Sequence, residues 1–313
     1  MIKYLVIVMF LTVFVGTSAY AEDYKASMFG IKSNGTTLNT TSIQKAIDFI
    51  TEHGGGRLVF ESGNYVTGSI YLKSNVTLQL DYGATILGST NPFDYVKDKK
   101  IGWMSMIFAV NQENIGITGK GIINGRGFIT ANNMVNYIHR GVYTDPLKYD
   151  RPNETNRPQN IYFRECANIK IIDITLKDPA SWNQTYDQCK NLYVDHITVD
   201  SKSYWNNDGI DVVDCDGVVI KNSYFDAADD VLCFKSHSAQ HMCQNVVVDN
   251  CVGRSSANGL KFGTVSRGGF KNFKVTNLTI CDTFRSAITF AAVDGGEIEN
   301  IVIDGVRSIN TGN

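Results

Sequence analysis

Three short acidic and polar clusters recur along the second half of the chain. They are Trp205-Asn206-Asn207-Asp208-Gly209-Ile210-Asp211, Ala228-Asp229-Asp230-Val231-Leu232-Cys233-Phe234-Lys235-Ser236 and Ser256-Ala257-Asn258-Gly259-Leu260-Lys261-Phe262-Gly263. Asp230 follows Asp208 by 22 residues, and Asn258 follows Asp230 by 28. If each interval is one turn of a coil, Asp208, Asp229 and Asp230 fall on adjacent strands, within one or two spacings of about 4.8 Å. Like charges that close raise at least one carboxyl pKa, so one acid keeps its proton near neutrality while its neighbour is ionised. Cleavage of a glycosidic bond needs that pairing: an acid protonates the leaving oxygen and a carboxylate activates water. An isolated Asp-Asp reads better as a solvated turn or part of a calcium site; the third aspartate, one interval earlier, favours catalysis.

The residues around these carboxylates suggest a binding surface. With Leu260 and Phe262 turned inward by strand alternation, Lys261 faces the groove. Lys235 lies one interval earlier and Arg285 one interval later, which would complete a basic row; Arg285 reads equally as an ordinary surface charge. Trp182, after the turn-like Pro179-Ala180-Ser181, and Trp205 are either sugar-stacking platforms or turn packing. His237 and His241 read as plain loop residues beside the cleft.

The elements that must position these groups are periodic. Strand starts recur at Asn168, Asn191, Gly217, Asn245, Asn272 and Asn300, at intervals of 23, 26, 28, 27 and 28, and Asn75 and Asn114 open similar runs earlier. Each unit alternates apolar with polar residues over a short β-branched run and then turns at Asn, Asp or Gly. One unit cannot bury its apolar face alone, whereas stacked units can, so a period in the twenties means a solenoid. The Leu-x-x-Leu-x-Leu pattern of leucine-rich repeats is absent, and propeller blades need about 40 residues or more. An all-β, single-stranded parallel β-helix remains. Its N-terminal end needs a cap, and residues 41–53 predict one. Thr41-Ser42-Ile43-Gln44 reads as a capping box, Ile43, Ala46, Ile47 and Ile50 share one helical face, and Gly54-Gly55-Gly56 stops the helix.

From FGIKSNGTTLNTTSIQKAIDFITEHGGGRLVFESGNY onward to Ser89, the chain resembles the entry segment of the pectin-lyase-like superfamily, which implies a right-handed β-helix. Asn-Asn-Asp-Gly-Ile-Asp and Asp-Asp-x-x-x-x-Lys-Ser resemble the signature of glycoside hydrolase family 28, the polygalacturonase family. That resemblance implies inverting hydrolysis of a pectin-type polysaccharide without metal or cofactor. Asp229 would be the general acid, and Asp208 and Asp230 would position and activate water. The family pattern reads Asn-Thr-Asp, Asp-Asp, His-Gly and Arg-Ile-Lys. Here Asn207 replaces the threonine and Asn258 stands where the histidine would be, both expected to bind substrate, and the last rung reads Phe284-Arg285-Ser286-Ala287-Ile288-Thr289-Phe290. Loss of the Arg-Ile-Lys pair removes the grip on a uronic acid carboxylate, for which Lys261 and Arg285 could substitute. Two other readings compete: a β-helix lyase with a Lys or Arg base and calcium, and a non-catalytic carbohydrate-binding module.

The remaining features bound the setting. Lys3, the apolar run Tyr4 to Val15 and Ala19-Tyr20-Ala21 predict a signal peptide over residues 1–21, with the β-helix domain over 22–313 and a secreted or periplasmic location. A net charge of −2 argues against nucleic-acid or membrane-surface binding by bulk charge. Four of the seven cysteines, Cys166, Cys189, Cys215 and Cys243, each precede a strand start by two residues. That register predicts a ladder of buried free thiols, because strands about 4.8 Å apart are wider than the Cβ–Cβ distance of a relaxed disulfide. No Cys-x-x-Cys or His-x-x-x-His spacing suggests a metal. The sequence stops soon after the strand start at Asn300, so either the C-terminal rungs are missing or the last edge is exposed. Residues 91–160 form long insertions that either block one end of the groove or only decorate it.

Overall fold

A computed structural model describes residues 22–145 and 151–312; the expected signal peptide lies outside them. The chain coils into a right-handed parallel β-helix with three sheet faces. One face stacks Val76–Leu80, Glu113–Gly119, Ala167–Ile172, Lys190–Asp195 and Asp216–Lys221, then the first halves of Cys243–Ser255 and Gly269–Cys281. The second runs through Ala84–Gly88, Ile122–Asn124, Thr175–Lys177, Thr198–Ser201 and Tyr224–Ala227. The third, called the groove sheet below, runs Ile70–Tyr71, Ser105–Val110, Gln159–Arg164, Gln184–Asp187, Ile210–Val213, Leu232–Ser236, Leu260–Ser266 and Ile288–Ala292.

The periodic asparagines are the corners of this coil. Asn75, Asn114, Asn168, Asn191, Asn245, Asn272 and Asn300 all adopt φ between 54° and 64°, and Gly217 takes the same place at 77°. Asn and Gly are the residues that enter the left-handed region at least cost. The side-chain amides also stack: Asn168 Nδ2 donates to Asn114 Oδ1 at 3.0 Å, and Asn191 Nδ2 to Asn168 Oδ1 at 3.0 Å. The expected thiol ladder is present: Cys166, Cys189, Cys215 and Cys243 are buried and unbridged.

Inward residues of the groove sheet form a column from Ala109 through Phe163, Tyr186, Val212, Phe234 and Phe262 to Phe290. Phe262 lies between Phe234 and Phe290 at ring separations of 5.6 and 4.6 Å. Burying Phe234 and Phe262 completely contributes about 1.5–3 kcal/mol each, whereas Phe290 on the last rung is left 48 % exposed.

The predicted capping helix spans Thr40–Glu52 and buries Ile43, Ala46, Ile47 and Ile50 across the first coil. The capping box does not form. Asn39 is the cap residue without a side-chain bond to the helix; its amide instead ties Lys32 and Thr37. Gln44 turns outward to grip both backbone groups of Tyr71 at 2.7 and 3.0 Å, which docks the helix on the first groove strand.

The insertion between residues 91 and 160 does two things that its aperiodic sequence conceals. Residues 97–104 form a hairpin, with Lys97 paired to Met104, that lies over the groove sheet. A second helix, Gly127–His139, projects beside the cleft and presents Phe128.

Candidate active site

Asp208, Asp229 and Asp230 come together as expected, each at the turn that enters a groove strand. Asn207 makes the first of these turns. Its Oδ1 accepts from the Tyr204 amide at 2.5 Å, and its Nδ2 donates to the carbonyls of Pro179 and Ser181 at 3.1 and 2.6 Å. Completely buried, Asn207 is a scaffold that presents Asp208 and has no surface to offer a ligand. Gly209 follows because a Cβ there would meet the Val231 carbonyl at 2.5 Å. The rungs then lock in height: Asn183 N donates to Asp208 O, Gly209 N to Asp230 O and Val231 N to Asn258 O.

The adjacent aspartates are pushed in opposite directions. Burial and then the charge of Asp230 raise Asp229, which is half-buried and faces the cleft. Burial also acts to raise Asp230, but the Lys261 ammonium and the bonds from Lys261 and Asn258 outweigh it and leave the carboxyl below its usual value. Lys261 Nζ lies 2.7 Å from Asp230 Oδ2, and Asn258 Nδ2 is 2.6 Å from Oδ1. Asn258 is itself oriented by Thr289 Oγ1, which donates to its Oδ1 at 2.9 Å.

Asp208 is 3 % exposed, and burial followed by the charge of Asp211 holds its pKa well above the ordinary carboxylate value. Its Oδ1 has no hydrogen-bond partner among the described residues. Beneath it, Asp211 binds Lys235 Nζ at 2.6 Å, and burial raises Asp211 to about 6 even against that ammonium. Lys235 also reaches Cys233 Sγ at 2.7 Å and Asp208 at 3.9 Å, with Trp182 stacked beneath it at 4.5 Å. Burial opposes its charge, but Asp211, Cys233 and Asp208 together raise its pKa, so it remains an ammonium.

The basic row therefore differs from its sequence reading. Lys235 and Lys261 are bound to site carboxylates; both are buried or nearly so, and neither ammonium is free to hold an acidic ligand. Arg285 is exposed on the rim of a cleft of about 750 Å³ that also contains Trp205, Phe128, Arg151 and Asp229. Trp205 is 60 % exposed, with Arg151 stacked over its ring at 5.0 Å. Trp182 packs instead against Trp103 at 4.6 Å. His237 and His241 lie in the loop after Ser236, at the far end of that strand from Asp230.

Asp208, Asp230 and Cys233 place one donor atom each within 4.8 Å of one another, spacing that could hold a metal ion. Two ammoniums already sit among those atoms, at 2.7 Å from Asp230 and 2.7 Å from Cys233. A cation added there would be repelled by both, so the donor set does not fit a resident metal.

Sequence reasoning missed three contributors. Asp211 was detectable: it alternates with Ile210 and Val212, so it must face outward. Arg157 was not. It is completely buried and donates to the carbonyls of Pro152, Ala180 and Trp205 and to Asn206 Oδ1, thereby pinning the loop that carries Trp205 and leads to Asp208. Burial lowers its pKa to about 10, still a full positive charge at neutrality. Arg151, bonded to Asn206 at 2.7 Å, comes from the same aperiodic insertion.

Comparison with known proteins places this geometry in context. The family model described as glycosyl hydrolases family 28 matches residues 57–287, well over half of the chain. An exo-poly-α-D-galacturonosidase of Dickeya chrysanthemi is 27 % identical over 91 % of this chain and 55 % of its own length. A polygalacturonase of Ralstonia solanacearum is 26 % identical over 92 % of this chain and 64 % of its own. The chain thus spans little more than half the length of the curated relatives it matches first. Among solved structures, a glycosyl hydrolase of Parabacteroides merdae shares 36 % identity at a TM-score of 0.65, covering 74 % of this chain and 96 % of that one. A family 28 exopolygalacturonase of Yersinia enterocolitica shares the fold at a TM-score of 0.78 and 23 % identity, covering 94 % of this chain and 61 % of its own.

Proposed function

The chain belongs to glycoside hydrolase family 28, and from that membership we propose that it hydrolyses O-glycosidic bonds in a pectin-type polysaccharide. The observation that carries this reading is the split between Asp229 and Asp230. Of these sequence neighbours, Asp229 lines the cleft with its carboxyl raised, and the buried Asp230 beside it has its carboxyl lowered. Asp229, the raised and more accessible acid, donates a proton to the leaving oxygen. Asp230, kept ionised by Lys261, removes a proton from water attacking the anomeric carbon from the opposite face. Asp208, whose carboxyl favours the neutral form, orients that water through its hydrogen-bonding oxygens. Water attacks as the bond to the leaving group breaks, so the configuration at the anomeric carbon inverts.

The lyase reading is weaker on this geometry. Elimination needs a neutral amine or guanidine as base, whereas the carboxylates around Lys235 and Lys261 hold both as ammoniums. The segment Lys3 to Ala21 supports export to the periplasm or beyond, where such a polymer would be met.

Digestion of polygalacturonate and rhamnogalacturonan tests the proposal. New reducing ends should accumulate without an ultraviolet-absorbing unsaturated product, and nuclear magnetic resonance of the fresh product should show the anomer opposite to that of the substrate. Unsaturated ends would establish a lyase, and retained configuration would remove Asp230 from the role of base.

A further inference from the structure

Three cations line the cleft at Asp229, and they differ in what holds them. Lys202 is taken up by two carboxylates, 3.2 Å from Asp200 and bonded to Asp226. Arg151 and Arg285 are exposed, and neither forms an ion pair among the described residues.

Arg151 is nevertheless fixed in place. Its Nη2 donates to Asn206 Oδ1 at 2.7 Å, and its guanidinium lies over the Trp205 ring at 5.0 Å. The same Asn206 oxygen accepts from Nη2 of the completely buried Arg157 at 2.8 Å. Two guanidiniums therefore share one neutral acceptor. Burial lowers Arg157 most, and the charge of Arg151 adds to that fall. The other donors of Arg157 go to the carbonyls of Pro152, Ala180 and Trp205, so among the described residues no carboxylate is bonded to either arginine. An anionic group reaching Arg151 from the cleft would offset that repulsion.

The coil sets where the two exposed arginines reach. Asp229 N donates to Asn207 O at 3.2 Å, so the Asn206 corner that anchors Arg151 lies one coil before Asp229. Val231 N donates to Asn258 O and Arg285 N to Ala257 O, so Arg285 stands two coils after it. At about 4.8 Å per coil, one guanidinium is rooted about 5 Å to one side of the proton donor and the other about 10 Å to the opposite side. The floor between them offers an acidic ligand no free cation, because Lys235 and Lys261 are bonded to Asp211 and Asp230.

Resting on the hydrolytic reading above, we propose that Arg151 and Arg285 are specificity-determining residues: each holds the carboxylate of a sugar acid, one on either flank of the linkage that Asp229 protonates. Charge recognition of the polymer then lies at the rim of the site, and the favoured cut has acidic units on both sides.

Kinetics on polygalacturonate test this first. Arg151→Gln and Arg285→Gln should each raise KM about tenfold, the loss of one charge-assisted pair, while kcat changes far less. Both side chains are exposed, so the melting curve should not move. Added salt should raise KM of the unsubstituted protein, and the double variant should lose that dependence. Unchanged KM in both folded variants overturns the proposal. The second measurement needs no turnover. Asp229→Asn protein is titrated calorimetrically with oligogalacturonides and with their methyl esters, which carry no charge. The acids should bind more tightly than the esters, and either arginine substitution in this background should weaken the acids alone. Equal weakening of both ligands would mean that the arginines only support the Trp205 loop, and esters bound as tightly as acids would likewise overturn the proposal. If the acids bind through the arginines but the active protein leaves them uncut, the hydrolytic reading falls and the grip stands; if they do not bind at all, the grip falls.

Discussion

Along the groove sheet, one outward row of side chains runs Tyr71, Phe108, Tyr162, Thr185, Asp211, Cys233, Lys261 and Thr289, in unbroken parallel register. Its first three members are aromatic and lie beneath a hairpin. Burial, followed by the charge of Asp98, lifts the Tyr71 phenol to about 12; burial followed by Asp187 lifts that of Tyr162 further, so neither ionises in the working range. From Thr185 onward the row becomes polar, then charged, although Thr185, Asp211 and Cys233 remain completely buried. The backbone geometry is the same in both halves. What differs is whether the outward side chains bury apolar area, which recruits a lid, or carry charge, which must be balanced within the row. Lys235 and Lys261 do that balancing, through their bonds to Asp211 and Asp230.

Five substitutions would break or sharpen this contrast. The largest effect belongs to the charged half. Asp229→Asn, and separately Asp208→Asn, should lower kcat more than about a hundredfold with an unchanged melting curve. Near-normal turnover in either variant would remove that residue from the chemistry. Lys235→Met should cost about 3–5 kcal/mol in denaturant unfolding, because it leaves Asp211 and Asp208 buried without their cation. Both carboxyls have raised folded-state pKa values, so the loss should be greatest above neutrality and shrink as falling pH protonates them. A loss independent of pH would mean that Lys235 contributes packing alone. In the aromatic half, Phe108→Ala should cost a similar amount, about 3–5 kcal/mol, but without pH dependence and with kcat per folded molecule retained. The smallest effect is a shift rather than a loss. Lys261→Met removes the charge that holds Asp230 low, so the acidic limb of kcat/KM should move up by about one unit. An unmoved limb would show that Asn258 alone keeps Asp230 ionised.

The sequence made the periodic features legible and left the aperiodic ones hidden. Asparagine corners, stacked thiols and the three aspartates could be placed because each repeats at the length of one coil, and a coil length converts directly into neighbourhood. Contacts that join different coils through long side chains carry no such signal. Lys261 was placed correctly in the groove, yet its bond to Asp230, 31 residues away, depends on which way a flexible chain turns. Asn207 looked like a binding residue because it stands in a motif; it is a turn builder because the Pro179 and Ser181 carbonyls happen to lie beneath it. The hairpin and Arg157 arise from a segment with no period at all, where only the finished fold says what lies opposite.

Asp208 and the Asp229–Asp230 pair come from consecutive coils, and the Asp230 carbonyl accepts from the amide of Gly209, the residue after Asp208. Their axial offset is therefore a crystal-like lattice constant of the backbone ladder. It can change only in whole steps, by adding or deleting a coil, and no point substitution can stretch it gradually. Divergence in such a scaffold is channelled: side chains and lids are free to drift, while the spacing between Asp208 and the Asp229–Asp230 pair is inherited intact.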